Sequence, residues 1–357
     1  MKRSRFITHL AGAPFLGAFG LNALGQQTSA HTPIALIDHQ LADGKQPTPQ
    51  HDLPSAPILQ KGARVAITAP ASALAPRDSL DEILQRLRSL DLEPVVYPSC
   101  SGRYYDFSAP DQQRVDELHQ AFADPTIEGV MALRGGWGAA RLLPLLDFDL
   151  LAANPKPLIG YSDVTTLQMA LYAKTSLVSY HGPTANAPFP KQTIDAFWDV
   201  LSTRESINLP LNNDEMNTNK GEAIQSGRGS GRLLGGNLTI MCSLLGTQWM
   251  PSLDGAILCI EDIGENVYRI DRMLTQLHIA GQLKNLQGLL LGTFVDCEPR
   301  FSTSPSLKNV VEWVTQDMDY PVWINAPFGH IDKQWTLPMG AMATLDTEQA
   351  TLMLHSR

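Results

Sequence analysis

A serine set between a short apolar run and a helical pattern is the strongest chemical signal in the sequence. Residues 157–159 are apolar, Gly160-Tyr161-Ser162-Asp163 breaks the run, and Val164, Leu167 and Leu171 follow at helical spacing. A strand, a tight turn and a helix in that order lift a hydroxyl out of a sheet and hold it at a helix N-terminus. There the unpaired backbone N–H groups can stabilise an oxyanion. The same residues allow a plainer role, because Ser and Asp are favoured helix N-caps. Val164 also stands where a G-x-S-x-G motif carries its second glycine, so that motif is not matched. On these residues alone both roles stay open.

A serine nucleophile needs a base, and the base needs a third group to orient it. Of the nine histidines, His9, His31, His39 and His51 precede the first periodic element and His355 is near the chain end. His119 and His278 fall in helical patterns. His181 and His330 remain, each beside a glycine at a strand end, and His330 follows Pro327-Phe328-Gly329, a loop suited to presenting it. Glu261 closes an apolar strand, where a carboxylate is costly unless paired. An ion pair with Arg269 or Arg272 would account for it equally well.

The elements that must position these residues alternate. Strands are expected at 64–68, 94–97, 129–133, 157–159 and 177–180, with helices at 79–90, 111–123 and 138–145 and one after Ser162. That order implies an α/β chain whose N-terminal part is a flavodoxin/Rossmann-like, mostly parallel sheet covered on both faces. Ligands of such sheets bind beyond the carboxyl ends of the strands, where both Ser162 and Arg134-Gly135-Gly136-Trp137-Gly138 fall. The polar stretch 211–229 is a natural boundary. Beyond it Gly235-Gly236-Asn237 opens an apolar helix, 256–260 and 286–291 read as strands, and 268–280 reads as a helix. Further strands near Val322, Thr336, Ala341 and Ala350 complete a smaller, mixed-sheet α/β domain. The division expected is 58–210, a linker at 211–229, and 230–357.

Composition narrows the partners. A net charge of −9 over 357 residues argues against nucleic acid, which requires a basic excess. Cys100, Cys242, Cys259 and Cys297 are scattered without zinc spacing, Cys242 and Cys259 sit in apolar runs, and no H-E-x-x-H or similar pattern implies a metal. Met1-Lys2-Arg3-Ser4-Arg5 followed by an apolar stretch to Leu24, with small residues near Gly25 and Ala30, reads as a signal peptide over 1–30. Loss of its three basic residues takes the charge from −9 to −12. Residues 31–57, rich in Pro, Gln, His and Asp, read as an extended linker.

Five ordered motifs carry a resemblance: Arg134-Gly135-Gly136-Trp137-Gly138 with Arg141; Gly160-Tyr161-Ser162-Asp163 with His181-Gly182-Pro183; Gly235-Gly236-Asn237-Leu238; Glu261-Asp262-Ile263 with Arg269-Ile270-Asp271-Arg272; and Phe328-Gly329-His330 with Thr336-Leu337-Pro338. Over roughly 57–355 the chain resembles the LD-carboxypeptidases of the serine peptidase family that includes the microcin C immunity proteins. The resemblance implies that Ser162 is the nucleophile, His330 the general base and Glu261 its orienting residue. It further implies an oxyanion hole from Gly135, Gly136 and the amide of Asp163, no cofactor or metal, and a homodimer. His181 becomes a supporting residue. Arg134, Arg141 and Arg228 are unranked candidates to hold a substrate carboxylate. The signal and the arm depart from the pattern, since several relatives are cytoplasmic; the expected compartment is the periplasm, with the cytoplasm as the alternative.

The expectation is therefore a serine peptidase releasing the terminal D-alanine of murein tetrapeptides, with no membrane contact after signal removal. Two other readings compete: hydrolysis of acyl-adenylate amides with the same triad, in which Trp137 and residues 212–221 would stack on a nucleobase, and a secreted solute-binding protein of two α/β lobes.

Overall fold

The computed structural model describes residues 57–357 apart from 213–214 and 217–219. The expected signal peptide and all of the expected linker except Pro57 lie outside the described residues. The N-terminal part runs β1 (Arg64–Thr68), α1 (Leu80–Ser89), β2 (Glu93–Val96), α2 (Asp111–Ala123), β3 (Gly129–Ala132), α3 (Phe148–Ala153), β4 (Leu158–Gly160), α4 (Thr165–Thr175), β5 (Ser179–His181) and α5 (Lys191–Leu201). The chain continues through β6 (Ile207–Pro210), β7 (Glu222–Gln225), β8 (Arg228–Asn237), α6 (Leu238–Leu244), β9 (Ala256–Ile263), α7 (Val267–Ile279), β10 (Gly288–Val295), α8 (Leu307–Thr315), β11 (Val322–Ile324), β12 (Leu337–Met339), β13 (Met342–Asp346) and β14 (Thr351–Leu354).

Two sheets result. The first has the order β12-β5-β4-β3-β1-β2 and is parallel except for β12, which comes from far along the chain and pairs antiparallel with β5. β3 is buried along its whole length and β1 is buried after its first residue. Apolar runs of that kind belong to parallel strands covered on both faces. The second sheet, β6-β14-β13-β8-β9-β10-β11-β7, is mixed: β8, β9, β10 and β11 are parallel and the outer strands antiparallel. β7 lies inside the stretch read as a polar linker, where Glu222–Gln225 adds to the edge of β11.

α4 departs from expectation. The pattern after Ser162 reads as amphipathic, yet every residue from Thr165 to Leu171 is buried. The helix packs between the first sheet on one side and β8 and α6 on the other. Its apolar Leu167 and Leu171 gather with Leu118 and Phe122 of α2, Leu151 of α3 and Leu158 of β4, and its polar side chains are covered as well. Thr165 accepts the Asn237 N–H at 3.0 Å, and Gln168 donates to Gly160 O and Tyr180 O at 2.9 and 2.8 Å. Burying those polar side chains is tolerable because each finds a backbone partner. The consequence is a rigid helix directly behind the serine.

α1 illustrates the outer layer: Ser79 caps it by accepting from Glu82 N, and Ile83, Leu84 and Leu87 turn inward. No described helix is long and apolar enough to cross a membrane.

Candidate active site

Ser162 sits on a strained turn. β4 ends at Gly160, Tyr161 is extended, and Ser162, at φ +62, is the first residue of a short 3-10 turn that leads into α4. A non-glycine residue held in the left-handed region costs about 1–3 kcal/mol, and persists where surrounding structure over-determines it. Ser162 caps nothing: neither the 3-10 turn nor α4 has a side-chain N-cap bond. Two glycines make the turn possible. A Cβ on Gly160 would lie 2.9 Å from Val164 Cγ1, and one on Gly135 would lie 2.6 Å from Ser162 Cβ and 2.8 Å from its Oγ. The Gly135 position is also 3.3 Å from the Asp163 amide nitrogen, so that glycine, the hydroxyl and that amide crowd one spot. Gly136 is held against a different side chain. With φ +107 it packs on Ser72, whose Oγ accepts the Trp137 N–H at 3.1 Å. The Asp163 carboxylate accepts from Ala139 N at 2.8 Å and so ties α4 to the glycine turn. Burial pushes that carboxyl up to about 6, against the Ala139 amide and the charge of Arg114.

Glu261 and His330 form a pair. His330 Nδ1 lies 2.6 Å from Glu261 Oε2, with Glu261 fully buried. Gly329, at φ +113, lets the loop lie on Glu261, because a Cβ there would come within 2.9 Å of the carboxylate. The loop is anchored on β10, where Thr293 N donates to Phe328 O at 3.0 Å and Ala326 N to Leu291 O at 2.9 Å. It then re-enters the first sheet as β12. Burial opposes a charged imidazole, but the negative charge and hydrogen bond of Glu261 outweigh it, so His330 titrates above its ordinary 6.5. Arg269 pairs with Glu265, so Glu261 is not spent on the ion pair that would have explained it as structural.

The two halves meet through Tyr161, whose ring is 4.7 Å from that of His330, centroid to centroid. Among the described residues Ser162 Oγ has no hydrogen bond to His330. His181 is close behind, with its ring 6.2 Å from Tyr161 and 5.9 Å from Phe328. Complete burial drops it to about 4, despite the nearby Glu261, so it is neutral.

Asn237 is the residue that sequence reasoning did not single out. Its N–H reaches Thr165 three residues after Ser162, and its side-chain amide donates to Asp262 Oδ1 at 2.9 Å, one residue after Glu261. Its own Oδ1 caps α6 through Ile240 N at 3.1 Å. The signal was present: an Asn directly after two glycines, at the junction of strand and helix. Arg228 is at the wrong end. β8 runs from Arg228 to Asn237 and pairs Asn237 with Glu261, so Arg228 is nine residues, about 30 Å at strand rise, from the pair. It faces Asp346 instead. Trp137 is half exposed against Phe107 at 4.5 Å.

Serine on a tight elbow, a crowded backbone amide, and a histidine backed by a buried glutamate are suited to acyl transfer. The comparisons agree with that chemistry. Models of the LD-carboxypeptidase N-terminal and C-terminal domains match residues 65–182 and 230–345. A putative carboxypeptidase of Streptomyces coelicolor is 37% identical over 83% of this chain and 94% of its own length. The murein tetrapeptide carboxypeptidase of Pseudomonas aeruginosa is 34% identical over 79% of this chain and 93% of its own. The crystal structure of a muramoyltetrapeptide carboxypeptidase from Oxalobacter formigenes superposes with a TM-score of 0.72 at 32% identity, covering 82% of this chain and 98% of that one. With both halves matched in order, the chain belongs to the LD-carboxypeptidase family of serine peptidases.

Proposed function

We propose that the protein hydrolyses the L,D-peptide bond before the terminal D-alanine of murein tetrapeptides, with Ser162 as nucleophile, His330 as base and Glu261 as its orienting group. The observation that carries the reading is the 2.6 Å Glu261–His330 pair packed on the residue preceding Ser162. With Nδ1 held by the carboxylate, only Nε2 of His330 is left to take a proton.

Ser162 Oγ attacks the carbonyl carbon of the third residue and its proton passes to His330 Nε2. Glu261 remains ionised, fixes the tautomer and balances the imidazolium. The tetrahedral oxyanion accepts hydrogen bonds from the Asp163 amide and from the turn at Gly135 and Gly136. Collapse expels D-alanine, whose amine leaves with the proton from His330. Water then attacks the acyl-serine with His330 as base again, releasing the tripeptide and restoring Ser162. Tight glycine packing against the serine supports this role, because it fixes the attacking atom without a side chain in the way.

Handedness gives the specificity. A site that holds the terminal carboxylate receives the methyl of a D-residue on one side and would meet that of an L-residue on the other. Chromatography of products from the tetrapeptide, its all-L analogue, the pentapeptide and an aminoacyl-adenylate amide tests this. D-alanine release from the tetrapeptide alone is expected; equal rates on the first two, or preference for pentapeptide or adenylate, would refute it. The basic-then-apolar start supports export to the periplasm, and we propose a homodimer there, measurable by sedimentation.

A further inference from the structure

We infer that Arg134 reads the free terminal carboxylate of the substrate and so makes the site a carboxypeptidase rather than an endopeptidase. The inference rests on the proposed function and deepens it. Three arginines, and Arg103 beside the 73–74 segment that Arg134 also contacts, are separated by their partners. Arg114 is fully buried and spends its donors on Asp111 and on the carbonyls of Pro70, Ala71 and Gly138. Arg141 grips both oxygens of Asp111, Oδ1 at 3.1 Å through Nε and Oδ2 at 2.7 Å through Nη2. Arg103 is exposed and donates to Leu74 O at 2.6 Å.

Arg134 differs from all three. It is half-buried and makes one hydrogen bond, Nη1 to Ala73 O at 3.1 Å, with no acidic partner among the described residues. A guanidinium carries five donors in a planar fork, so most of them have no acceptor among the described residues. The next residue is Gly135, which touches Ser162. Its charge also reaches Tyr161, the residue before the nucleophile: burial pushes that phenol up to about 12 and Arg134 pulls against the rise. Half-burying a cation without a counter-charge is unfavourable unless an anion completes the site, and a carboxylate fits the fork bidentately. In the mechanism above, the leaving D-residue places its carboxylate two bonds beyond the scissile nitrogen, within the same pocket as the oxyanion.

Two readouts test the assignment. The first is kcat/KM on the tetrapeptide and on its C-terminal amide, for the wild type and for Arg134→Gln, Arg134→Lys and Arg103→Gln. A charge-assisted pair is worth roughly 10²-fold in discrimination. The wild type should prefer the acid by about that factor, Arg134→Gln should lose it by falling on the acid alone, and Arg134→Lys should keep part. Arg103→Gln should retain the preference within threefold. An Arg134→Gln variant that loses both substrates equally, or keeps the preference, overturns the assignment. The second readout needs no turnover: protection of Ser162 from a fluorophosphonate by N-acetyl-D-alanine against its amide. Acid-selective protection lost in Arg134→Gln supports the assignment, and equal protection in the wild type overturns it. A wild type that takes the fluorophosphonate and shows selective protection, yet cleaves no tetrapeptide, counts against the proposed substrate and not against Arg134.

Discussion

Adding one methyl group at Gly135 should damage the nucleophile more than the fold. Gly135 is not at positive φ, so an alanine there is unstrained in its own backbone and the effect is purely steric. Its Cβ would stand 2.6 Å from Ser162 Cβ and 2.8 Å from Oγ. Ordinary contacts between such atoms are roughly 3.5–4.0 Å, so the serine must retreat by about 1 Å. A misplacement of that size costs on the order of 10² in rate, which is about 2.7 kcal/mol of transition-state stabilisation. Overpacking also costs about 1–3 kcal/mol of stability. Gly129→Ala is the control, since it lies on β3, the strand leading to Gly135, and its Cβ meets the Leu59 Cδ1 at 3.0 Å without touching Ser162. The assays are the second-order rate of fluorophosphonate labelling, kcat/KM on tetrapeptide, and a thermal melt. Gly135→Ala should label about 10²-fold more slowly while still folded, and Gly129→Ala should label at the wild-type rate. A folded Gly135→Ala that labels within threefold of wild type would refute the claim that this contact sets the position of Ser162.

Glu261→Gln should cut turnover by at least about 10² and move the acid limb of the residual activity to lower pH. The neutral imidazole is the active form, Glu261 is what raises its pKa, and without it burial prevails; a pH–rate profile checks the sign. The raised Asp163 pKa means that native protein holds a proton the unfolded chain has lost between 3.8 and about 6, so stability falls as pH rises through that window. The difference is about 3 kcal/mol at ~1.4 per unit. Urea melts at pH 4 and 7 should show a smaller loss for Asp163→Asn than for wild type by roughly that amount. Mass spectrometry of the envelope fraction of the native host should find a new N-terminus between residues 26 and 31; an intact Met1 in the cytosol would end the export proposal.

The strands and helices of the first sheet were readable because each is a local pattern: 64–68 and 111–123 appear where the spacing placed them. Glu261 was noticeable for the same kind of reason, a carboxylate closing a run of buried apolar residues, and His330 because glycine precedes it in a presenting loop. The resemblance assigned their roles, and composition alone would not have done so. What remained hidden is non-local. β12 joins a sheet built more than 150 residues earlier, and only that pairing carries the His330 loop back toward β5. The first two turns of α4 are buried because β8 and α6 cover the side that the first sheet leaves open, a fact of packing absent from its own periodicity. The left-handed φ of Ser162 leaves no trace in residue type. Arg228 looked equivalent to Arg134 until strand direction put it at the far end of β8. Asn237 was visible inside a motif, but its two-sided bonding to Thr165 and Asp262 depends on both sheets being present.

The central claim, that Ser162 is activated by His330, is tested most directly by mapping a fluorophosphonate adduct by mass spectrometry and following its rate in His330→Ala. A single adduct on the peptide containing Ser162, forming several orders of magnitude more slowly in a folded His330→Ala protein, is the predicted result. An adduct elsewhere, or equal rates in the two proteins, would contradict it.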